Sequence, residues 1–455
     1  MAVVIESSVW EPSPWLFVLI FLACFFSFLL LHFFPKKNTS SGGGGGGKTP
    51  AIFDQGISSP SFVRFKMNFL LLYALASVME GLEVAFGEFE FSHYGVSKEQ
   101  ILLSICVGYA SSLFFGTFLG VFSDLIFETW MVVQHEKQGH RRDTLNDIFW
   151  LMSFYEAACL LQGQALSNWL IGDNVEKNIS SPSMAAVFFA MLGIICIAKI
   201  WAEVPQKTSF KEYKMSFQTY IFGGTKHLSS LKLSALIGFS HSSHSPSLLA
   251  SIKGSGYWHG RKLAFTFPLQ SSGFFGPQQW WYVNHDNCLI LALADGREVN
   301  LGLIYPFLVA SRMLGSTIFP WLIGGVSSRR TEDYLVYAFG IMGLVLFITA
   351  YDYQEIGVLV TLFCLFHASI GFVLPSLARL RTTYVPNELR GGMTSLSQAP
   401  ADMAILFFLL QRGYCQIIGN AGIMAIAALG LFTAAGCIHV LKWWGKQPYQ
   451  NGHKS

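Results

Sequence analysis

The sequence predicts an all-α, multi-pass membrane protein, and three observations favour this class. Hydrophobic residues fill 52% of the 455 positions and charged residues only 13%, against roughly 25% charged residues in soluble domains. Apolar runs of about 20 residues recur, and each could cross a hydrocarbon core of about 30 Å. Basic residues follow alternate runs, as expected for cytoplasmic loops. The formal net charge of +3 gives no indication of nucleic-acid binding.

The first apolar run, residues 15–34, is preceded by acidic residues and followed by Lys36 and Lys37. A signal peptide would have its positive charge first, so this run is predicted to be an uncleaved anchor whose basic end is cytoplasmic. A six-glycine run within residues 38–48 is typical of a flexible linker. The anchor therefore adds one helix in front of the main set.

The run at residues 101–124 has small residues at every fourth position of one helix face. Small residues at this spacing let a second helix approach closely, which favours association where lipid offers no hydrophobic contrast. We therefore predict a helix–helix interface, with a generic packing face as the alternative. The face consists of Gly108, Ser112, Gly116, Gly120 and Asp124.

The remaining apolar runs complete a set of about ten helices, including the anchor. Residues 227–294 interrupt the set, because they are rich in Ser, Gly and His and contain no run of 18 apolar residues. We predict an irregular insert there. The other predicted spans are residues 67–91, 148–171, 183–201, 301–326, 333–351, 355–377, 391–413 and 421–443.

Similar segments at residues 110–116 and 310–315 indicate an internal repeat, and hence two pseudo-symmetric helix bundles. The predicted organisation is an anchor and linker, an amino-terminal bundle, a cytoplasmic loop with the insert, a carboxyl-terminal bundle and a cytoplasmic tail. The corresponding boundaries are 1–66, 67–203, 204–300, 301–443 and 444–455.

Two sets of motifs resemble known transporters. The ending Gly120 to Asp124 resembles the first half of the major facilitator loop signature, in which Gly-x-x-x-Asp closes the second core helix on the cytoplasmic side. Residues 61–65, the Phe-Glu-x-Trp element at 127–130, residues 304–306 and residues 375–377 resemble the molybdate-anion transporters of this superfamily. The likeness covers most of the chain except residues 1–58 and 227–294, and it suggests a plant-type member.

The resemblance implies a major facilitator fold and secondary-active uptake of molybdate or a similar small oxyanion by alternating access. It also implies a location in the plasma membrane. The implied partners are the lipid bilayer and the anion, with no nucleic acid, no cofactor and no obligate protein partner.

The chain departs from the signature after Asp124. The basic second half is missing, and residues 125–126 lead directly into 127–130, as if about one hairpin were deleted. The first bundle then lacks about two helices and the second lacks its first helix. We therefore expect this chain to transport poorly. A non-transporting truncated isoform or a polytopic scaffold protein stays open as the alternative function.

Arg312 lies about midway along its predicted span, where a guanidinium must face the bundle interior or water. Its planar fork of donors suits an oxyanion. Ser311 and, from another helix, Gln398 are predicted to add donors to this substrate site. The alternative is a structural salt bridge between Arg312 and Asp402, which is similarly deep in its own span.

Three acidic residues are candidates for proton coupling: Glu80, Glu83 and Glu156. A desolvated carboxyl group can titrate near neutral pH, and membrane-embedded carboxylates usually face a cavity or a partner. Glu83 could equally line a wet outer vestibule. The sequence contains no clustered nucleophile, metal-ligand set or acid pair, and its cysteines lie in apolar runs without a CxxC pair. We therefore predict neither an enzyme nor a metal site.

Overall fold

The computed structural model describes part of the chain, and this part is helical. It contains nine helices and no strand. The helices are α1 (Pro14–Phe33), α2 (Pro60–His93), α3 (Lys98–Ser111), α4 (Arg142–Ile171), α5 (Ser181–Trp201), α6 (Leu301–Ile323), α7 (Thr331–Ala350), α8 (Ile356–Tyr384) and α9 (Asn420–Lys446). The described residues are 14–33, 60–111, 113–114, 131–132, 134–135, 142–172, 178, 180–201, 301–323, 331–351, 356–384, 403–404, 406–407, 410 and 420–446.

Six of the nine described helices, α2 and α5 to α9, contain a stretch long and apolar enough to span a membrane. Helices α1 and α3 contain shorter apolar stretches, at residues 18–30 and 102–111. Helix α4 has 30 residues, a length of about 45 Å. It is not among the six, because polar residues recur along it. Several of these, including Gln164 and Ser167, are buried inside the protein. It is therefore the most polar long helix of the described part.

Two helix boundaries differ from the prediction. Helix α8 continues through Pro375 to Tyr384, so Arg379 and Arg381 lie on its last turns, not in a loop. Proline is tolerated inside membrane helices because neighbouring groups compensate for its missing N–H. Helix α4 begins at Arg142, six residues before the predicted start at residue 148. The linker, the 227–294 insert and most of residues 391–413 lie outside the described part.

The described helices pack as two groups. Helices α2, α4 and α5 contact one another and form the amino-terminal group. The carboxyl-terminal group consists of α6, α7, α8 and α9, in which α8 packs on α6 and α7, and α7 packs on α9. Helix α4 also contacts α6 and α8, so it forms the main junction between the groups.

Each group contains one helix pair in backbone contact at glycines. A Cβ atom on Gly81 of α2 would lie 2.7 Å from the Leu160 carbonyl oxygen on α4, and one on Gly163 would lie 2.7 Å from that of Val78. In the second group, Cβ atoms on Gly315 and Gly371 would overlap the backbone of the facing helix, α8 or α6 respectively. Both crossings therefore require glycine, as expected for close packing in a membrane.

The small-residue face predicted on residues 101–124 is described only in part. A Cβ atom on Gly108 would meet nothing within 4 Å among the described residues. The described residues therefore supply no contact at Gly108, and the helix–helix interface stays a prediction. The other residues of this face lie outside the described part: Ser112, Gly116, Gly120 and Asp124.

Helix α1 lies in the groove between α4 and α6. Its inner face has Ile20, Cys24 and Phe28, four residues apart, in contact with apolar side chains of both helices. The thiol of the fully buried Cys24 donates a hydrogen bond to the Ala310 carbonyl, with a sulfur–oxygen distance of 3.8 Å. Phe28 stacks on Phe154 with ring centroids 4.9 Å apart. The anchor helix thus contacts both groups at their junction.

Candidate functional site

A buried ion pair joins α4 to α6. Arg312 is the central residue of α6, and Glu156 lies near the middle of α4. The Nη2 atom of Arg312 is 3.1 Å from Oε1 of Glu156, and the two side chains are only 6% and 14% exposed. An isolated charge at this depth would be costly, so each group stabilises the charged form of the other. The structure thus brings together one predicted substrate-binding residue and one predicted proton-coupling residue.

The backbone of α6 fixes the direction of the Arg312 side chain. On one side, Gly371 of α8 packs directly against the Arg312 carbonyl. On another side, the guanidinium reaches Glu156 on α4. The glycine crossing and the ion pair therefore hold α6 from two different helices, and both contacts meet at the same residue.

A third helix reaches the pair through a tyrosine. The Tyr73 hydroxyl of α2 forms a side-chain hydrogen bond with the Glu156 carboxylate. Glu80, seven residues further along α2, acts on Tyr73 electrostatically. Residues seven apart share a helix face. Glu83 belongs to the same helix, but its side chain lies outside the described part.

Arg312 retains a donor that the ion pair does not use. Its Nε atom is buried and has no hydrogen-bond partner among the described residues. A buried donor without a partner typically costs about 1–3 kcal/mol, so a ligand that accepted this hydrogen bond would recover that cost. The guanidinium fork is therefore available for an acceptor from a substrate.

The hydroxyl groups beside Arg312 are already used. Ser311 donates to the Phe307 carbonyl at 2.9 Å and also hydrogen-bonds with Cys364 of α8. Ser316 and Thr317 donate to carbonyls of their own helix at 2.7 Å. A hydroxyl group has a single proton to donate. Ser311 therefore stays a predicted substrate contact, and donating to a substrate would require its hydroxyl to leave the Phe307 carbonyl.

Two further predicted residues lie outside the described part. Gln398 stays a predicted substrate contact, and Asp402 stays a predicted partner of Arg312. The ion pair that the structure describes is formed with Glu156 instead. Local sequence patterns could not predict this pairing, because Glu156 and Arg312 are far apart in the chain.

The charges around the pair favour cations or neutral molecules when both carboxyl groups are ionised. The single positive charge of Arg312 is then opposed by Glu156 and Glu80. An anion would be attracted only if a carboxyl group were protonated or moved away from the guanidinium. The arrangement can therefore exchange one negative partner of Arg312 for another.

A family model from the major facilitator superfamily (MFS), described as sugar transporters with 12 TM segments, matches residues 51–126. These residues include α2 and α3. Comparison with curated proteins finds no match to the chain.

Two solved structures are similar to this chain. The E. coli fucose:proton symporter FucP has 14% identity and a TM-score of 0.35, over 84% of this chain and 99% of that one. The MFS proton:xylose symporter XylE bound to 6-bromo-6-deoxy-D-glucose has 13% identity and a TM-score of 0.36, over 94% and 93%. The described helices confirm the predicted all-α class, and six of them are long and apolar enough to span a membrane.

Proposed function

We propose that the chain is a secondary-active transporter that takes up molybdate or a similar small oxyanion by alternating access. The family match supports a transporter of the major facilitator type. The buried pair of Arg312 and Glu156, at the contact between the two helix groups, is the observation that supports an anion site. Substrate sites at the junction of two helix bundles near the membrane midplane are expected for such carriers.

The proposed cycle begins when the oxyanion binds the Arg312 guanidinium. Its oxygens accept hydrogen bonds from Nε and a terminal nitrogen, and displace the Glu156 carboxylate. A carboxylate left alone in this buried place is costly, so Glu156 takes up a proton from the outer solution at the same step. One proton and one anion then enter together. Release of both to the inside lets the ion pair form again.

This coupling resolves the charge conflict at the site. A dianion such as molybdate would be repelled by two ionised carboxyl groups beside a single guanidinium. Protonation of Glu156 removes one negative charge, and Glu80 is the second candidate for protonation. The anion and the proton therefore favour each other's binding in the proposed site.

Binding of radiolabelled molybdate to the purified protein in detergent tests the site without requiring a complete transport cycle. We expect Glu156→Gln to strengthen binding, because the guanidinium loses its competing carboxylate. Arg312→Lys should weaken binding substantially, because it keeps the charge but loses the bidentate fork. Unchanged binding in Arg312→Lys and Arg312→Gln would contradict the proposal.

Uptake into proteoliposomes tests transport itself. An inward proton gradient should drive molybdate uptake, and sulfate competition measures selectivity among oxyanions. Binding without uptake would favour the alternative of a non-transporting truncated isoform. Because about two helices are predicted to be absent from the first bundle, we expect this uptake to be slow. Absence of both binding and uptake would favour a polytopic scaffold protein.

A sugar is the second candidate substrate, because the matching family model is described as sugar transporters. Carboxylate and guanidinium groups also bind sugar hydroxyls, so Arg312, Glu156 and Glu80 would suit either ligand. Xylose and fucose, which are neutral, distinguish the two. If radiolabelled xylose or fucose bound to the protein and unlabelled molybdate did not compete with it, the sugar would replace the oxyanion as the proposed substrate.

A further inference from the structure

We propose that α1 is a built-in clamp, a helix that holds the two helix groups together at their junction and restrains the movement between them. This role rests on the alternating-access function proposed above, in which that movement carries the substrate across the membrane. The predicted anchor helix thus regulates the carrier in addition to attaching the chain to the membrane.

The middle of α1 lies against the backbone of α6. The thiol of Cys24 is fully buried and donates a hydrogen bond to the Ala310 carbonyl of α6. Cys24 also belongs to a buried cluster that includes Ala157 of α4 and Met313 of α6. Each of these last two residues directly follows a member of the buried ion pair in the chain. Helix α1 therefore packs beside the ion pair that joins the two groups.

An aromatic cluster joins the carboxyl-terminal half of α1 to α4. Phe28 stacks on Phe154, with ring centroids 4.9 Å apart and planes 14° from parallel. Its ring centroid is also 6.2 Å from that of Trp150. Trp150 belongs to α4, yet its side chain is buried in the core of the carboxyl-terminal group. Phe28 therefore packs at a place where side chains of the two groups interlock.

One face of α1 makes these contacts. The outer face exposes Leu19, Leu22, Phe25 and Phe26, each by more than half of its surface. In a membrane such side chains face lipid, which is as apolar as they are and gives no hydrophobic driving force for docking. The packing and hydrogen bonding of the inner face therefore determine whether α1 stays docked.

Movement between the groups must break part of this contact. In the proposed cycle the two bundles rock against each other, so the separation of α4 and α6 changes. A helix that contacts both α4 and α6 can follow only one of them. Contacts that exist in only one of two states favour that state by their own free energy. Docked α1 therefore favours the closed junction, and its release favours the separated one.

The distance between the two groups tests the clamp without a substrate. Spin labels introduced as unnatural amino acids at Met184 of α5 and at Tyr351, just after α7, leave the native cysteines unmodified. Both positions are well exposed, at 69% and 71%, and belong to different groups. Both lie on the predicted outer side of the membrane. Double electron–electron resonance on the full chain in nanodiscs then measures the distribution of distances between the labels.

Two substitutions on the inner face should release α1. Cys24→Trp places an indole where the thiol contacts the α6 backbone, so we expect a second distance population that is larger than in the unmodified chain. Phe28→Leu removes the ring stack and should lower the ratio of closed to separated protein by about two- to tenfold. Phe26→Trp and Phe26→Leu are the matched controls on the outer face and should keep the unmodified distribution.

An unchanged distance distribution in folded Cys24→Trp and Phe28→Leu overturns the clamp, and so does an equal change in the two Phe26 controls. If Cys24→Trp does not fold, the milder Phe28→Leu decides by itself. Molybdate uptake into proteoliposomes is measured separately. Absence of uptake in every variant, together with the expected change in distances, would reject the proposed function and keep the clamp.

Discussion

The contacts within each helix group differ in kind from the contact between the groups. Within the groups, α2 crosses α4 at Gly81 and Gly163, and α6 crosses α8 at Gly315 and Gly371, with backbone against backbone. Between the groups, α4 meets α6 through a buried ion pair as well as through apolar side chains. A backbone contact has only one close-packed separation, whereas an ion pair can exchange its partner for a ligand or a proton. The difference suggests two rigid units joined by a switchable contact.

The largest expected effect comes from breaking the ion pair on one side only. Arg312→Ala leaves Glu156 buried without its partner, which should cost about 3–5 kcal/mol of stability. Thermal unfolding in detergent measures this loss. The double variant with Glu156→Ala should recover most of it, because no uncompensated charge remains. A double variant as unstable as the single one would show that the pair is not the relevant contact.

Widening the within-group crossings should have the next largest effect. Gly81→Ala and Gly371→Ala place a methyl group against the facing backbone, which should cost about 1–3 kcal/mol. Gly193→Ala and Gly436→Ala are matched controls, because a Cβ atom at either site meets nothing within 4 Å among the described residues. Folded yield in detergent compares the four variants. Equal yields would remove the distinction between close crossings and open positions.

Loosening the anchor helix should have a smaller effect. Phe28→Leu keeps an apolar side chain but loses the stack on Phe154, which should cost about 0.5–1.5 kcal/mol. Phe26→Leu is the control, since Phe26 is 63% exposed on the other face of α1. Unfolding temperatures of the two variants measure the difference. A larger loss in Phe26→Leu would mean that α1 is not docked by this face.

The ion pair between Lys442 of α9 and Asp333 of α7 should matter least. Both side chains are about one-fifth exposed, at 22% and 21%. Partly solvated pairs are typically worth about 0–1 kcal/mol and are screened by salt. Lys442→Met should therefore change the unfolding temperature only slightly, and less at high salt. An effect as large as that of Arg312→Ala would contradict the contrast between peripheral and junction ion pairs.

Hydropathy predicted the six described helices that are long and apolar enough to span a membrane, because span length depends on the membrane and not on neighbouring helices. It placed the end of α8 near Pro375, because the cost of a missing N–H is apparent in the sequence, whereas the compensating tertiary contacts are not. Depth alone predicted that Arg312 lies in the interior. Its pairing with Glu156 depends on which helices pack together, and this information is absent from local patterns.

The close glycine contacts also could not be predicted from local sequence patterns. A repeat of four residues drew attention to Gly108, which is open among the described residues. The close crossings use Gly81, Gly163, Gly315 and Gly371, which form no such repeat along one helix. Tyr73 was overlooked because a single tyrosine in an apolar helix is usually a packing residue. Its seven-residue spacing from Glu80 was the one available signal.

The pH dependence of molybdate affinity, compared between the unmodified chain and Glu156→Gln, tests the central claim most directly. If anion binding opens the Arg312–Glu156 pair with uptake of one proton, affinity in the unmodified chain should rise by about tenfold for each unit that pH falls towards the midpoint for Glu156. In Glu156→Gln, affinity should be high and nearly independent of pH. The same pH dependence in both proteins would contradict the account.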